Sequence, residues 1–237
     1  MLEYLLKTIY PPIRSIFKII IRRICFSGKP KIVIAGTGRC ASTLFTMCIA
    51  RSYLRSLRLP IPNSFEKYLA PLLVEYVEDL RAIRFSTAPV IKTHDLYLAE
   101  SFPHDTKSIF IYGDPLISAV SVALQCEILG EAWVVQHIRH LRGSGQVSEL
   151  FSKDVLNYEE QIISWSESPS LKLHYPTYWN QQNSISEYLG FELSLPPYHV
   201  RDACSGIVER LSSKYNIDLS LFEHLQNCES QITASNF

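Results

Sequence analysis

The sequence predicts an α/β domain: a central parallel sheet covered by helices. Three observations lead there. Short β-branched runs recur along the chain, each is followed by a stretch with helical patterning, and a 47% apolar share over 237 residues can fill a sizeable core. Residues 1–28 read as a basic amphipathic arm, and residues 29–237 as a single domain.

The arm comes first. Residues 1–31 carry seven Lys and Arg against one acid, Glu3, although the whole chain has a net charge of zero. The remainder is therefore acidic and offers no track for the phosphates of a nucleic acid. Charged residues interrupt every apolar run before Lys29, so neither a bilayer span nor a secretory leader is expected there. Ile13, Ile16, Phe17, Ile20 and Ile24 fall on one helical face, with Arg14, Lys18 and Arg22 flanking it. Such a helix either docks on the body or lies on an anionic membrane surface.

Residues 31–35 (KIVIA) are an apolar run that reads as a buried strand. Gly36-Thr37-Gly38-Arg39-Cys40-Ala41-Ser42-Thr43 follows at once, and residues 44–57 read as a helix. A strand, a glycine-containing loop and a helix N-terminus form an anion cradle, in which backbone N–H groups and the helix dipole face the ligand. Against the nucleotide-binding pattern G-x-x-x-x-G-K-[ST], Gly36 and Thr43 fit the ends. Ala41 replaces the second glycine, Ser42 replaces the lysine, and a cation appears earlier as Arg39. The loop suits a phosphate-like anion without the lysine of a nucleoside triphosphate site. Asp114, after a third apolar run, is the only contender for a magnesium-holding carboxylate.

Residues 88–93 (APVIKT) read as a second strand closing on Lys92-Thr93-His94. Lys92 and His94 share a face if the strand continues, at the end of the sheet where α/β proteins bind ligands. A histidine there can take a proton near neutral pH. Residues 108–112 (SIFIY) form the third run. Asp114 then suits an N-cap, and Pro115 suits the first turn of a helix over residues 116–129. Helices are expected over residues 150–165, 177–189 and 202–215, with a fourth strand at residues 170–174 and Gly190 as a C-cap. Residues 60–85 and 130–147 read as loops above the strand ends. The six cysteines are scattered, with no Cys-x-x-Cys pair and no zinc spacing. No structural metal is expected, and a reducing, cytoplasmic setting fits, with the arm as the route to any membrane surface.

Taken in order, these segments resemble the P-loop sulfotransferases, which use 3′-phosphoadenosine 5′-phosphosulfate (PAPS) as donor. The resemblance runs from about Lys31 to Gly190. The stretch Thr37-Gly38-Arg39-Cys40-Ala41-Ser42-Thr43-Leu44 is similar to the family's 5′-phosphosulfate loop, T-G-R-S-G-S/T-T-L. By that match Arg39 holds the bridging oxygen and sulfate. Gly38, Cys40, Ala41, Ser42 and Thr43 form the cradle, and Leu44 stands where many relatives place a Trp under the adenine. Lys92-Thr93-His94 is identical to the family's Lys-Thr-His, which makes His94 the implied catalytic base and Lys92 its cationic partner. Residues 109–115 resemble the 3′-phosphate segment ending in R-D-P, and Ser121 matches the serine that bonds that phosphate. Tyr175 falls where the family has an adenine-contacting Tyr, and Tyr188-Leu189-Gly190 resembles the family's helix end.

Three departures stand out. Gly113 replaces the arginine of R-D-P, Ala41 replaces a loop glycine, and only Arg201 is available for the C-terminal basic segment. The loss at Gly113 removes a charge-assisted contact of about 1.5–3 kcal/mol. The resemblance implies transfer of a sulfuryl group from PAPS to a hydroxyl or amine of a small-molecule acceptor without a metal. A non-catalytic relative that binds nucleotide or protein, and a P-loop kinase, are the competing readings. Residues 60–85 and 130–147 carry no single-sign charge field, so a polyanionic acceptor is disfavoured.

Overall fold

In a computed structural model the described residues are 15–16, 18–20, 22–23, 29–58, 62–198, 205–212 and 214–234. Among them five strands form one sheet: β1 (Ile32–Gly36), β2 (Val74–Val77), β3 (Val90–Thr93), β4 (Lys107–Gly113) and β5 (Leu171–Tyr175). Their order is β2-β3-β1-β4-β5, and every neighbouring pair is parallel. The predicted parallel α/β architecture is the observed one. From β1 the chain winds outward to β2 and returns through β3. It then crosses β1 to add β4 and β5 on the other side. The carboxyl ends of β1 and β4 therefore border the crevice where the connections part in opposite directions, which is where open α/β sheets bind ligands.

Helices α1 (Ser42–Ser56), α2 (Asn63–Leu73), α3 (Pro115–Leu129), α4 (Glu131–His140), α5 (Tyr158–Ser166), α6 (Gln182–Leu189), α7 (Ser205–Ser212) and α8 (Leu219–Ala234) accompany the sheet, with short 3₁₀ turns between them, and the described residues of the arm are helical too. The two-residue period of the strands sorts the core into two layers. Val33, Ala35, Phe110 and Tyr112 point to a cluster with Val120, Ile138, Trp165 and Phe222. Ile32, Ile34, Ile109 and Ile111 point to the opposite cluster with Phe45, Ile49, Tyr178 and Ile185. Trp165 lies flat against Phe110, with ring centroids 5.4 Å apart. Its indole N–H donates to the Asp95 carbonyl at 2.9 Å, which ties the segment after β3 to α5.

Several sequence expectations need correction. Residues 150–165 are not one helix: α5 starts only at Tyr158, because Asn157 turns left-handed at φ 55° and the Asp154 carboxylate accepts the N–H groups of Tyr158 and Glu159. Residues 60–85, read as loop, hold α2, β2 and a 3₁₀ turn. Residues 130–147 hold α4, whose Val134 and Ile138, with the C-cap Leu141, are buried at helical spacing. Residues 177–189 divide into a 3₁₀ turn (Thr177–Gln181) and α6, ended as expected by Gly190 at φ 79°. The tail carries α8 in addition to α7. Asp114 accepts the Ile117 N–H at 2.8 Å, and Pro115 opens α3, as the capping pattern predicts.

The arm touches the body through a cation. Helix α2 runs straight into β2, so its last carbonyls have no turn to satisfy them. Arg22 supplies the donors: Nε to the Leu72 carbonyl, one Nη to the Val74 carbonyl and the other to the Glu75 carboxylate, each at 2.8 Å. Ile16, Ile19 and Ile20 remain 57%, 44% and 47% exposed. Ile13, Arg14, Phe17 and Ile24 lie outside the described residues. Among the described residues no helix is long and apolar enough to cross a membrane.

Two stability outcomes follow from this geometry. Arg22→Ala removes the guanidinium from two carbonyls and leaves the Glu75 carboxylate with the Ser86 hydroxyl but without its ion pair, and should cost about 2–3 kcal/mol, read as a lower urea midpoint of the full chain. An unchanged midpoint would mean that Arg22 does not hold the α2–β2 junction. Ala41 sits at φ 57° as the N-cap of α1, a left-handed conformation that costs an L-residue about 1–2 kcal/mol. Ala41→Gly should relieve most of that and raise the melting midpoint by about 2–4 °C, net of the extra unfolded-chain entropy. A lower midpoint would show that the Ala41 methyl contributes packing that outweighs the strain.

Candidate functional site

The end of β1 leaves no space for side chains. A Cβ on Gly36 would lie 2.8 Å from the Ile111 carbonyl oxygen, and one on Gly38 would lie 2.7 Å from Leu141 Cδ1. The Thr37 N–H donates to that Ile111 carbonyl at 3.0 Å, so the loop leaves the sheet stitched to β4. Cys40 sits beneath it, buried, with its thiol donating to the Thr37 carbonyl at 2.8 Å. Burial pushes the Cys40 thiol pKa up, so it stays protonated and supports the loop as a neutral group.

Above the loop lies a cavity of about 260 Å³ lined by Arg39, Ala41, Ser42, Thr43, Leu44, Lys92, His94 and His137. Seven of these eight were singled out in the sequence. Lys92, on β3 beside β1, donates its ammonium to the Thr43 hydroxyl at 2.5 Å. Burial lowers the Lys92 pKa, and the Arg39 charge lowers it further.

His94 is 6% exposed, and its Nδ1 lies 2.5 Å from the Gly36 carbonyl. A carbonyl only accepts, so Nδ1 carries the proton and Nε2 keeps its lone pair. Burial and then the Lys92 charge push the His94 pKa down to about 3, against a smaller opposing effect of the Gly36 carbonyl. The imidazole is neutral at physiological pH.

Arg39 takes a position that the sequence did not specify. Its Nε donates to the Ser121 hydroxyl at 2.9 Å and one Nη to the Gln125 side-chain carbonyl at 3.4 Å, both on α3. Its guanidinium also lies 5.8 Å from the centroid of the Trp133 ring. Arg39 and Ser121, taken from separate motifs, thus form one contact.

The remaining candidates lie elsewhere. Tyr175 is paired in register with Gly113 at the sheet end and packs edge-on to Trp179, with centroids 6.0 Å apart; it does not line the cavity. Arg201 lies outside the described residues. At Gly113, where the resemblance puts an arginine, the backbone carbonyl accepts the Tyr158 hydroxyl, which also bonds Glu229 of α8. Gln226 of the same helix donates to Asp114 at 2.8 Å. Burial, with a smaller contribution from the nearby Asp114 charge and against the Tyr158 hydrogen bond, pushes the Glu229 pKa up to about 7. A third grouping, Glu159, His224 and Cys228, joins α5 to α8 with donor atoms spaced for a metal ion and lies outside the cavity lining.

Sequence reading missed three contributors. His137 and Trp133 are four residues apart on α4, inside a stretch taken for loop. Their aromatic-to-histidine spacing between Val134 and Ile138 was the available signal. Tyr76, on edge strand β2, lies between His94 and His140, at 6.0 and 5.6 Å between ring centroids. Nothing local marks it, because only the sheet order brings β2 beside β3.

No protein-family model and no curated protein sequence matches the chain. Among solved structures the chain is similar to retinol dehydratase in complex with androsterone and the inactive cofactor PAP. The two are 14% identical, the similarity covers 91% of this chain and 68% of that one, and the TM-score is 0.33, a level at which neither function nor site residues transfer.

Proposed function

We propose that the chain is a sulfotransferase that moves a sulfuryl group from PAPS to a hydroxyl or amine of a small-molecule acceptor. One observation carries the reading. A neutral imidazole, His94, with its Nδ1 proton committed to the Gly36 carbonyl, lines the same small cavity as Arg39 and Lys92 at the mouth of a P-loop-like turn. The residues fit the phosphosulfate end of the donor: two half-buried cations, the Ser42 and Thr43 hydroxyls and the N-terminus of a 15-residue helix converge on about 260 Å³. The donor supplies an activated sulfur whose bond to the 5′-phosphate oxygen breaks as the acceptor oxygen or nitrogen bonds to it.

His94 Nε2 takes the acceptor proton as that bond forms. Lys92 and Arg39 balance the charge that grows on the departing phosphate oxygen, and the loop N–H groups add fixed dipoles. The rigid hydrogen bond to Gly36 means that the base needs no reorientation. A bound dianion also offsets the Lys92 charge, so His94 becomes more basic when the donor is in place. The Arg39–Ser121 pair offers a cation and a hydroxyl for a second anionic group, where the family's own arginine is lost at Gly113.

A second reading has an observation of its own. Glu229 and Asp114 put carboxyl groups beside Gly113, which opposes a 3′-phosphate there and favours a relative that binds adenosine phosphates without transferring sulfate. Calorimetry separates the two. The sulfotransferase reading expects adenosine 3′,5′-bisphosphate to bind more tightly than adenosine 5′-phosphate, and Arg39→Ala to erase the difference. Equal affinities, with no product in a mass-detected acceptor screen with PAPS, would reject it.

His94→Ala should lower turnover by about 10²–10⁴-fold and leave nucleotide affinity unchanged, because the imidazole serves the acceptor. Wild-type turnover in that variant would remove His94 from the reaction.

Folding stability gives an independent check. His94 and His137 have folded pKa values of about 3 and about 4 against an ordinary 6.5, so below pH 6.5 the unfolded chain binds protons that the folded chain refuses. Their contribution is complete above that pH and is lost as pH falls toward those folded values. Glu229, raised to about 7, acts in the opposite direction between its ordinary 4.5 and 7. The urea midpoint of the wild type should fall from pH 7 to pH 5, and that of His94→Asn should fall less. Equal slopes would show that His94 is not held neutral.

A further inference from the structure

His137 belongs to no motif read in the sequence, yet it lines the cavity with Arg39, Lys92 and His94. Its ring lies flat against Trp133, with centroids 4.9 Å apart and planes 10° apart. The stack holds the imidazole in place and leaves its edge to face the loop. Its Nε2 is buried and has no hydrogen-bond partner among the described residues, and it lies 3.3 Å from where a Cβ on Gly38 would be. A buried polar nitrogen without a partner is uncommon and costs free energy that a ligand can return. Here the orphan atom stands beside the Gly38 turn, in the lining of the cavity that Arg39 and Lys92 share.

We propose that His137 is a further ligand of the anion held by this loop, binding it through Nε2 as an imidazolium that forms when the anion arrives. The proposal rests on the reading that the loop cavity is an anion site. The charged and titratable groups around the ring explain the coupling. Arg39 comes from the loop, Lys92 from β3, His94 from the segment after β3 and His140 from α4 itself. Without ligand, burial and then the two cations hold His137 neutral, at a pKa pushed down to about 4, with a smaller effect from His140. A dianion between Arg39 and Lys92 reverses the sign of that field and offers the orphan nitrogen an acceptor, so proton and anion bind together. The cavity then matches a doubly charged sulfate or phosphoryl group better than a singly charged carboxylate, because three cationic donors surround it.

The test uses the full chain. Titration calorimetry with adenosine 3′,5′-bisphosphate at pH 7, in two buffers of different ionisation enthalpy, reads the protons taken up on binding. Inorganic sulfate, which stays doubly charged throughout this pH range, repeats the measurement with a ligand that does not titrate. The wild type should take up close to one proton. His137→Asn should abolish that uptake and weaken binding about tenfold, the scale of one lost charge-assisted hydrogen bond. His94→Asn should retain the uptake. Binding by the wild type without proton uptake needs no variant to interpret, and overturns the inference. Uptake that survives in His137→Asn assigns the proton to another group and also overturns it, while leaving the anion site standing. If neither ligand binds the wild type, the inference and the function reading fall together.

Discussion

The site depends on one constraint: the carboxyl end of β1 must pass between β3 and β4 without a side chain. Gly36 meets it. Its missing Cβ lets the backbone approach the Ile111 carbonyl, and its own carbonyl is then free to accept the His94 proton. A single residue thereby seats the loop on the sheet and orients an imidazole that arrives 58 residues later in the chain. Thr37 and Cys40 repeat the pattern: the Thr37 N–H donates to the Ile111 carbonyl, and the Cys40 thiol lies within bonding reach of the Thr37 and Ile111 carbonyls. A substituent at Gly36 would push the loop away from β4 and His94 away from the cavity together.

Around that seat the protein gathers cationic and basic groups and pays for it in desolvation. Lys92, His94 and His137 all have pKa values lowered by burial, and each is lowered further by another of the site's cationic groups. A cavity of this kind is under electrostatic tension, which negative charge placed beside Lys92 would relieve. The same field that disfavours a second proton on His94 in the free protein weakens once negative charge lies beside Lys92. Affinity for an anion and basicity of the imidazole are therefore linked through one short-range field.

The C-terminal helix closes the sheet end beside Gly113. Helix α8 reaches back to β4 through Gln226 and Glu229, and meets Asp114 and the Tyr158 hydroxyl beside Gly113. An arginine at position 113 would have to displace this network, since even a Cβ there lies 3.2 Å from that of Tyr175. The glycine at 113 and the helix that packs beside it are two parts of one local solution. Arg39 reaches across to Ser121 on α3 and brings its positive charge to that helix.

The sequence by itself determined the parallel α/β class, the strand–loop–helix cradle and the pairing of Lys92 with His94. These are local features: β-branched runs, a glycine turn and a two-residue strand period are legible within ten residues. It also located the Asp114 cap and the Gly190 stop, since both act within one helical turn. Whatever depends on residues far apart in the chain was decided only by the tertiary structure. The direction of Arg39 was set by α3, 82 residues on, and the proton on His94 Nδ1 by a carbonyl of β1. His137, Trp133 and Tyr76 entered the site because the sheet order and the packing of α4 on the loop brought them there. Helix α5 began eight residues later than its pattern suggested, because an Asp carboxylate took the N–H groups that the extra turns would have used. Periodicity reports which face of an element is buried; only the fold decides what that face is buried against.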